Sequence, residues 1–222
     1  KCVDDLWQLS RGIAADHPGV PIVLIGHSMG SFMAQHFISE HGDALAGVVL
    51  SGSGGKPSTL AMAGRLIARI ERLRLGARGK SALLQAFSFG AFNKPFEPAR
   101  TPFDWLSRDQ AEVDRYVADP LCGFPASVQL WIDMLDALGD IAGVERQARI
   151  PKVLPIYVIA GTRDAVSGNT KSLEQLLSAY RDAGLERVTH RFYPDARHEL
   201  FNETNREEVT RDLIAWVNDA IR

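Results

Sequence analysis

The sequence is poor in cysteine and has no long apolar run, and both absences narrow the classes of protein it can represent. Its 222 residues include two cysteines, Cys2 and Cys122, whose spacing is typical of neither a disulfide framework nor a zinc site. No run approaches the roughly 18 apolar residues of a membrane-spanning helix, and the amino end carries no signal-peptide pattern. These features predict a reduced, cytoplasmic protein without a metal site.

A strong excess of charge of either sign is also missing. The formal net charge is −2 at pH 7, and 45% of the residues are hydrophobic against 23% that are charged. Such a chain has no global positive field to attract polyanions, which argues against nucleic acid as a partner. The length and composition are those of a globular protein, and we expect residues 1–222 to form a single domain.

What is present is an alternation of short apolar runs with helical patterns. The run at residues 21–26, PIVLIG, is typical of a strand buried on both faces of a parallel sheet. Similar runs occupy residues 47–50, 153–160 and 187–193, and helical spacing occurs at residues 28–41, 169–183 and 204–221. Strands that alternate with helices predict an α/β fold with a mostly parallel sheet flanked by helices.

Residues 55–150 interrupt this alternation with helical patterns and turn signals but no clear core strand. We interpret them as a helical insertion after the second strand, placed as a cap or lid over the carboxyl edge of the sheet. Residues 56–80 hold seven basic side chains and one acidic side chain, Glu71. A solvated helix face explains this pattern most simply, and contact of the cap with anionic lipid headgroups is the alternative.

Aromatic side chains of the same insertion have two interpretations as well. They could line an acyl pocket, and core packing explains them equally well. The residues concerned are Phe87, Phe89, Phe92, Phe124 and Trp131.

The segment Gly26-His27-Ser28-Met29-Gly30 lies where the first strand gives way to a helix, which is the context that makes a Gly-x-Ser-x-Gly pattern meaningful. We expect Gly26 and Gly30 to leave room for a sharp turn that exposes Ser28 as a nucleophile. Met29 is expected to donate one backbone N–H to an oxyanion hole. His27 is interpreted as a packed residue of this elbow rather than as a base.

A serine nucleophile needs a histidine to accept its proton and an acid to orient that histidine. Of the six histidines, only His198 lies in a loop just past a predicted strand, at the sheet edge where ligands bind in such folds. Asp164 follows the third apolar run directly, whereas Asp195 is a competing acid three residues before His198. The order Ser28, Asp164, His198 is the order of the α/β-hydrolase triad.

These motifs resemble the bacterial lysophospholipase and monoacylglycerol lipase branch of the α/β-hydrolases, which is often described as serine aminopeptidase-like. The resemblance rests on residues 26–31, 161–164 and 196–203, and on two motifs of the insertion, residues 103–108 (FDWLSR) and 119–124 (DPLCGF). It implies esterase or lipase chemistry on acylglycerols or lysophospholipids, through an acyl-enzyme intermediate and without metal or organic cofactor. Ala165 departs from the family's usual proline after the acid.

The resemblance also implies several strands before the elbow, together with a His-Gly loop that donates the second oxyanion N–H. Residues 1–20 cannot supply them, so we expect the amino-terminal third to be missing. Residues 21–26 would then form an exposed sheet edge that a second chain or a dimer contact would complete.

Two alternatives to an esterase stay open. One is an aminopeptidase-like amide hydrolase, whose acidic subsite would come from the insertion: Glu112, Asp114, Asp133 or Asp136. The other is a non-catalytic module, or an inactive truncated fragment, that keeps the fold.

Overall fold

A computed structural model describes residues 1–57 and 59–222 of the chain, without the side chains of residues 59 and 60. Four parallel strands form one sheet in the order β1-β2-β3-β4. The strands are β1 (Val23–His27), β2 (Gly47–Ser51), β3 (Ile156–Gly161) and β4 (Val188–Tyr193). The predicted α/β fold with a parallel sheet is confirmed. The third strand begins three residues later than expected because a turn precedes it, in which the Leu154 N–H donates to the Pro151 carbonyl.

Helices flank the sheet and fill the interval between β2 and β3. The flanking helices are α1 (Cys2–Asp16), α2 (Met29–His41), α9 (Lys171–Asp182) and α10 (Arg206–Ala220). The interval contains α3 (Thr59–Leu75), α4 (Ala82–Gln85), a π-helical turn (Ala86–Gly90), α5 (Ala91–Asn93), α6 (Gln110–Ala118), α7 (Val128–Ile141) and α8 (Val144–Gln147). We call this interval the helical segment. Within the described ranges, no helix is long and apolar enough to cross a membrane.

Two apolar layers cover the sheet, because successive residues of a strand face opposite sides. Val48 and Leu50 of β2 pack with α1, α2 and α9, whereas Val49 packs with α10. Helix α1 occupies residues for which no element is predicted above. Its Val3 and Trp7 contact the first layer, which explains why the helix forms there.

The helical segment has an apolar cluster of its own, separate from both layers of the sheet. Its buried members come from three helices: Ala68, Leu84, Val128, Trp131 and Ile132. In the described part of the chain β1 pairs only with β2, so it forms one edge of the sheet. The edge position matches the expectation for residues 21–26.

Candidate active site

Ser28 lies in the turn that joins the end of β1 to the first residue of α2. Its backbone has φ 53° and ψ −122°, a combination outside the regions that residues with a side chain favour. Hydrogen bonds hold this turn: the Ser28 N–H donates to the Ser51 carbonyl at 2.9 Å, and the Ser31 N–H donates to the Ser28 carbonyl at 2.9 Å. Strained backbone of this kind persists where the surroundings enforce it, and such positions cluster at functional sites.

The two glycines of the elbow differ in how tightly they are enclosed. A Cβ at Gly26 would lie 2.5 Å from the Gly30 carbonyl oxygen and 2.8 Å from the Ser31 Cα, so no side chain fits there. A Cβ at Gly30 would meet no described atom within 4 Å. Among the described atoms, therefore, close packing requires a glycine at position 26, whereas Gly30 has room for a side chain apart from the backbone of its own helix.

The structure brings His198 and Asp164 together beyond the ends of β4 and β3. His198 Nδ1 lies 3.0 Å from Asp164 Oδ1, and both side chains are buried. The same oxygen accepts the Val166 N–H at 2.9 Å, which fixes the carboxylate. Asp195, the competing acid, is exposed on a left-handed turn, where its N–H donates to Thr162 Oγ1. Asp164 is thus the acid that contacts this histidine.

His27, the residue before Ser28, contacts His198 through its ring. The ring centroids of His27 and His198 are 4.7 Å apart, and Gly52 lies against both rings. No hydrogen bond joins the Ser28 hydroxyl to His198 in the part of the chain that the structure describes. Such bonds are often long in unliganded enzymes and shorten only when the substrate is bound.

His27 packs inside the elbow. Its Nδ1 lies 3.3 Å from Ser51 Oγ. Burial, and then the charge of the nearby His198, lower the pKa of His27 to about 4. His27 is therefore neutral at pH 7 and adds no positive charge beside His198, the residue expected to become protonated during catalysis.

Met29 is the first residue of α2, as the elbow motif predicts. The N–H of a first helical residue has no carbonyl partner within the helix, and the amino end of a helix favours negative charge. This N–H is therefore not needed within α2, and it lies next to Ser28.

Aromatic rings of the helical segment form a continuous row that ends at His198. Trp105 lies with its ring centroid 5.1 Å from that of His198, and Phe92 lies 5.2 Å from Trp105. Phe89 contacts Phe92, Trp105 and Trp131. Two expected pocket residues stand apart from this row, since the side chains of Phe87 and Phe124 are 56% and 65% exposed.

Trp105 is not among the candidates named from the sequence, although it belongs to the noted motif at residues 103–108. The signal available in the sequence was that motif itself, whose tryptophan ring contacts the histidine.

Three of the four acidic side chains considered for an amine subsite form ion pairs with arginines. Glu112 pairs with Arg115 and Arg206, Asp114 with Arg100, and Asp136 with Arg65 and Arg69. Asp133 accepts a hydrogen bond from Gln129 Nε2 at 2.7 Å. Across the described ranges, no group of three or more His, Cys, Asp or Glu side chains is arranged to hold a metal ion.

Comparison with protein-family models matches residues 1–205 to the family described as serine aminopeptidase, S33. The chain is 29% identical over 214 residues to the monoglyceride lipase of Homo sapiens, covering 91% of this chain and 63% of that protein. It is 27% identical to the monoacylglycerol lipase of Mycolicibacterium smegmatis, covering 97% of this chain and 68% of the relative. The chain therefore spans less than two thirds of the length of its human relative.

Solved structures of similar fold include a thermostable carboxyl esterase from Bacillus coagulans. It superposes with a TM-score of 0.90 at 26% identity, over 99% of this chain and 71% of the esterase. A soluble variant of monoglyceride lipase from Saccharomyces cerevisiae superposes with a TM-score of 0.71 at 19% identity, over 99% and 68% of the two chains. The latter likeness concerns the fold alone.

Proposed function

Because the chain belongs to the serine aminopeptidase S33 family, we propose that it is a serine hydrolase that cleaves carboxylic esters, with monoacylglycerols as its substrate class. One observation carries the proposal: the buried pair of His198 and Asp164, 3.0 Å apart, lies against His27, and the next residue, Ser28, is held in strained backbone. A buried carboxylate that orients a histidine next to a serine on a sharp turn is the arrangement that activates a serine hydroxyl.

In the proposed reaction, Ser28 Oγ attacks the ester carbonyl carbon while His198 Nε2 accepts the hydroxyl proton. Asp164 holds the Nδ1–H and stabilises the imidazolium that forms. The Met29 N–H donates to the oxyanion. His198 then returns the proton to the departing alcohol. Water, deprotonated by the same histidine, attacks the acyl carbon, and the proton passes to Ser28 Oγ as the carboxylic acid leaves.

Two features favour esters of lipids over peptides. The rings of Trp105 and Phe92 make the surroundings of His198 apolar, which suits an acyl chain, whereas Trp131 packs in the cluster of the helical segment. A free amino group would need an unpaired carboxylate, yet three of the four candidates, Glu112, Asp114 and Asp136, already pair with arginines. The fourth, Asp133, accepts a hydrogen bond from Gln129. The relatives named monoglyceride lipase and monoacylglycerol lipase support the glycerol ester as the first substrate to test.

We further propose that residues 55–150 act as the cap over this site and rest on an anionic lipid surface through α3. Four apolar side chains of α3 are between 50% and 91% exposed: Met62, Leu66, Ile70 and Leu73. Arginines flank them, and the single acid, Glu71, is buried in bonds with Arg74 and Ser81. An apolar stripe with basic flanks suits anionic headgroups. Co-sedimentation with phosphatidylglycerol vesicles, but not with phosphatidylcholine vesicles, is expected, and Leu73→Ser should weaken it.

The enzymatic proposal is tested by hydrolysis of p-nitrophenyl butyrate, a monoacylglycerol, a lysophospholipid and an aminoacyl p-nitroanilide, with Ser28→Ala as the control. We expect ester turnover that vanishes in the variant, with the monoacylglycerol preferred. A fluorophosphonate should label Ser28 in the parent chain. Absence of both labelling and turnover from the folded chain would identify a non-catalytic module, whereas cleavage of the anilide alone would identify an amide hydrolase.

A further inference from the structure

The motif at residues 103–108 is bound to the loop that carries His198 by a set of hydrogen bonds. The Glu199 N–H donates to the Leu106 carbonyl at 2.8 Å, and Ser107 Oγ donates to the Asn202 carbonyl at 2.8 Å. Arg197 Nη1 donates to the Ser107 carbonyl at 3.0 Å and also to the Asp104 carbonyl. We call this contact, between residues 104–108 and 197–205, the clamp.

Glu203 is the buried centre of the clamp, with no exposed surface. Its carboxylate accepts the Arg108 N–H at 3.1 Å and Arg108 Nε at 2.8 Å. It also accepts the N–H groups of Arg197 at 2.8 Å and Thr204 at 3.0 Å. Charge-assisted bonds of this kind are shorter and stronger than bonds between neutral groups. One carboxylate thus joins the helical segment to the loop.

These bonds restrain His198 from both sides along the chain. The residue before it, Arg197, is bonded through its N–H to Glu203, and the residue after it, Glu199, is bonded to Leu106. The imidazole itself lies between the rings of Trp105 and His27, at 5.1 and 4.7 Å. Trp105 belongs to the clamp, so the same contact that pins the backbone also supplies one wall for the ring.

We propose that Glu203 and Arg108 are positioning residues that hold the His198 imidazole on Asp164. Neither side chain touches the proposed reacting atoms. They act by fixing the peptide groups on either side of His198 and the ring of Trp105. The proposal rests on the function proposed above for its kinetic consequence, but the placement of His198 can be measured separately.

The test compares Glu203→Gln and Arg108→Met with Glu40→Gln in the full chain. Glu40 is a matched control because it also bonds an arginine of the helical segment, Arg146, at 3.0 Å, but at a place remote from the clamp. We expect Glu203→Gln and Arg108→Met to lower kcat for a monoacylglycerol at least about 10-fold, since the histidine is displaced from Asp164. Glu40→Gln should keep the parent kcat.

A second readout is the Nδ1 proton of His198, followed by NMR and assigned by its loss in His198→Gln. We expect a slowly exchanging proton in the parent chain and in Glu40→Gln, and faster exchange in both clamp variants. If Glu203→Gln does not fold, Arg108→Met alone provides the test. Arg108 is the more exposed of the two partners, so its replacement disturbs the packing less. An unchanged proton and an unchanged kcat in a folded clamp variant would overturn the proposal. A clamp-sensitive proton in a chain without turnover would instead overturn the proposed function and keep the positioning role.

Discussion

Gly52 offers a direct test of how closely the site is packed. It follows β2 with φ +56°, and a Cβ built there would lie 2.9 Å from His198 Cε1, 3.0 Å from His198 Nδ1 and 3.1 Å from His27 Cε1. Gly52→Ala therefore does two things at once. It strains the backbone, and it drives a methyl group between the two imidazole rings.

The two effects have different magnitudes and different targets. The left-handed conformation costs an alanine about 1–2 kcal/mol in the free energy of unfolding. A carbon atom at 2.9 Å is roughly 0.6 Å inside an ordinary contact of about 3.5 Å. Because Asp164 is held by the Val166 N–H, His198 has to give way and its bond to Asp164 lengthens. A displacement of this size lowers kcat on the order of 10- to 100-fold.

Gly184→Ala is the matched control for this variant. Gly184 also has a positive φ, +78°, but a Cβ there would meet no described atom within 4 Å. Urea unfolding should show a similar loss of stability in both variants, while ester hydrolysis should fall in Gly52→Ala alone. Equal activity in the two folded variants would refute the inference that Gly52 sets the position of His198.

Three further outcomes are expected. Gly26→Ala should lose several kcal/mol of unfolding free energy, because its Cβ would lie 2.5 Å from the Gly30 carbonyl oxygen, whereas Gly30→Ala should be neutral or stabilised by up to about 1 kcal/mol; thermal unfolding distinguishes them. The pKa of His27 is lowered to about 4 in the folded chain. Below pH 6.5, His27 therefore becomes protonated in the unfolded chain while it stays neutral in the folded chain, and the free energy of unfolding falls as the pH decreases toward 4. Urea unfolding at pH 7 and pH 4 should show a loss roughly 3 kcal/mol larger in the parent than in His27→Asn, and equal losses would contradict the lowered pKa. Asp164→Asn should lower kcat on the order of 10³- to 10⁴-fold while KM for p-nitrophenyl butyrate stays near the parent value, and full activity would exclude Asp164 as the orienting acid.

Features encoded locally could be predicted from the sequence. The strands β1 and β3 are short apolar runs, and the elbow is a contiguous pattern around Ser28. His198 and Asp164 are both found by their position after strands, because parallel strands bring their carboxyl ends to one edge of the sheet. The contact of the two side chains follows from that topology.

Features that depend on distant parts of the chain could not be predicted. Arg108 and Glu203 are 95 residues apart, and nothing near either residue indicates that they meet. The same holds for the open space beside Gly30 and for the exposure of Phe124, which depend on what packs there in three dimensions. Helix α1 is not predicted above, although Val3, Leu6 and Trp7 have helical spacing, and its stability comes from packing on the sheet.

The separate apolar cluster of the helical segment has a consequence for hydrogen exchange. Cooperative units of a protein open with their own free energies, and a unit with a private core can open without disturbing its neighbours. Amides of α7, whose Val128 and Ile132 belong to that cluster, should therefore exchange through a sub-global opening that leaves β2 and β3 protected. The clamp joins this segment to the loop that carries His198, so each such opening would also release that loop. The protein would then populate a state in which the sheet is intact but the site is not assembled.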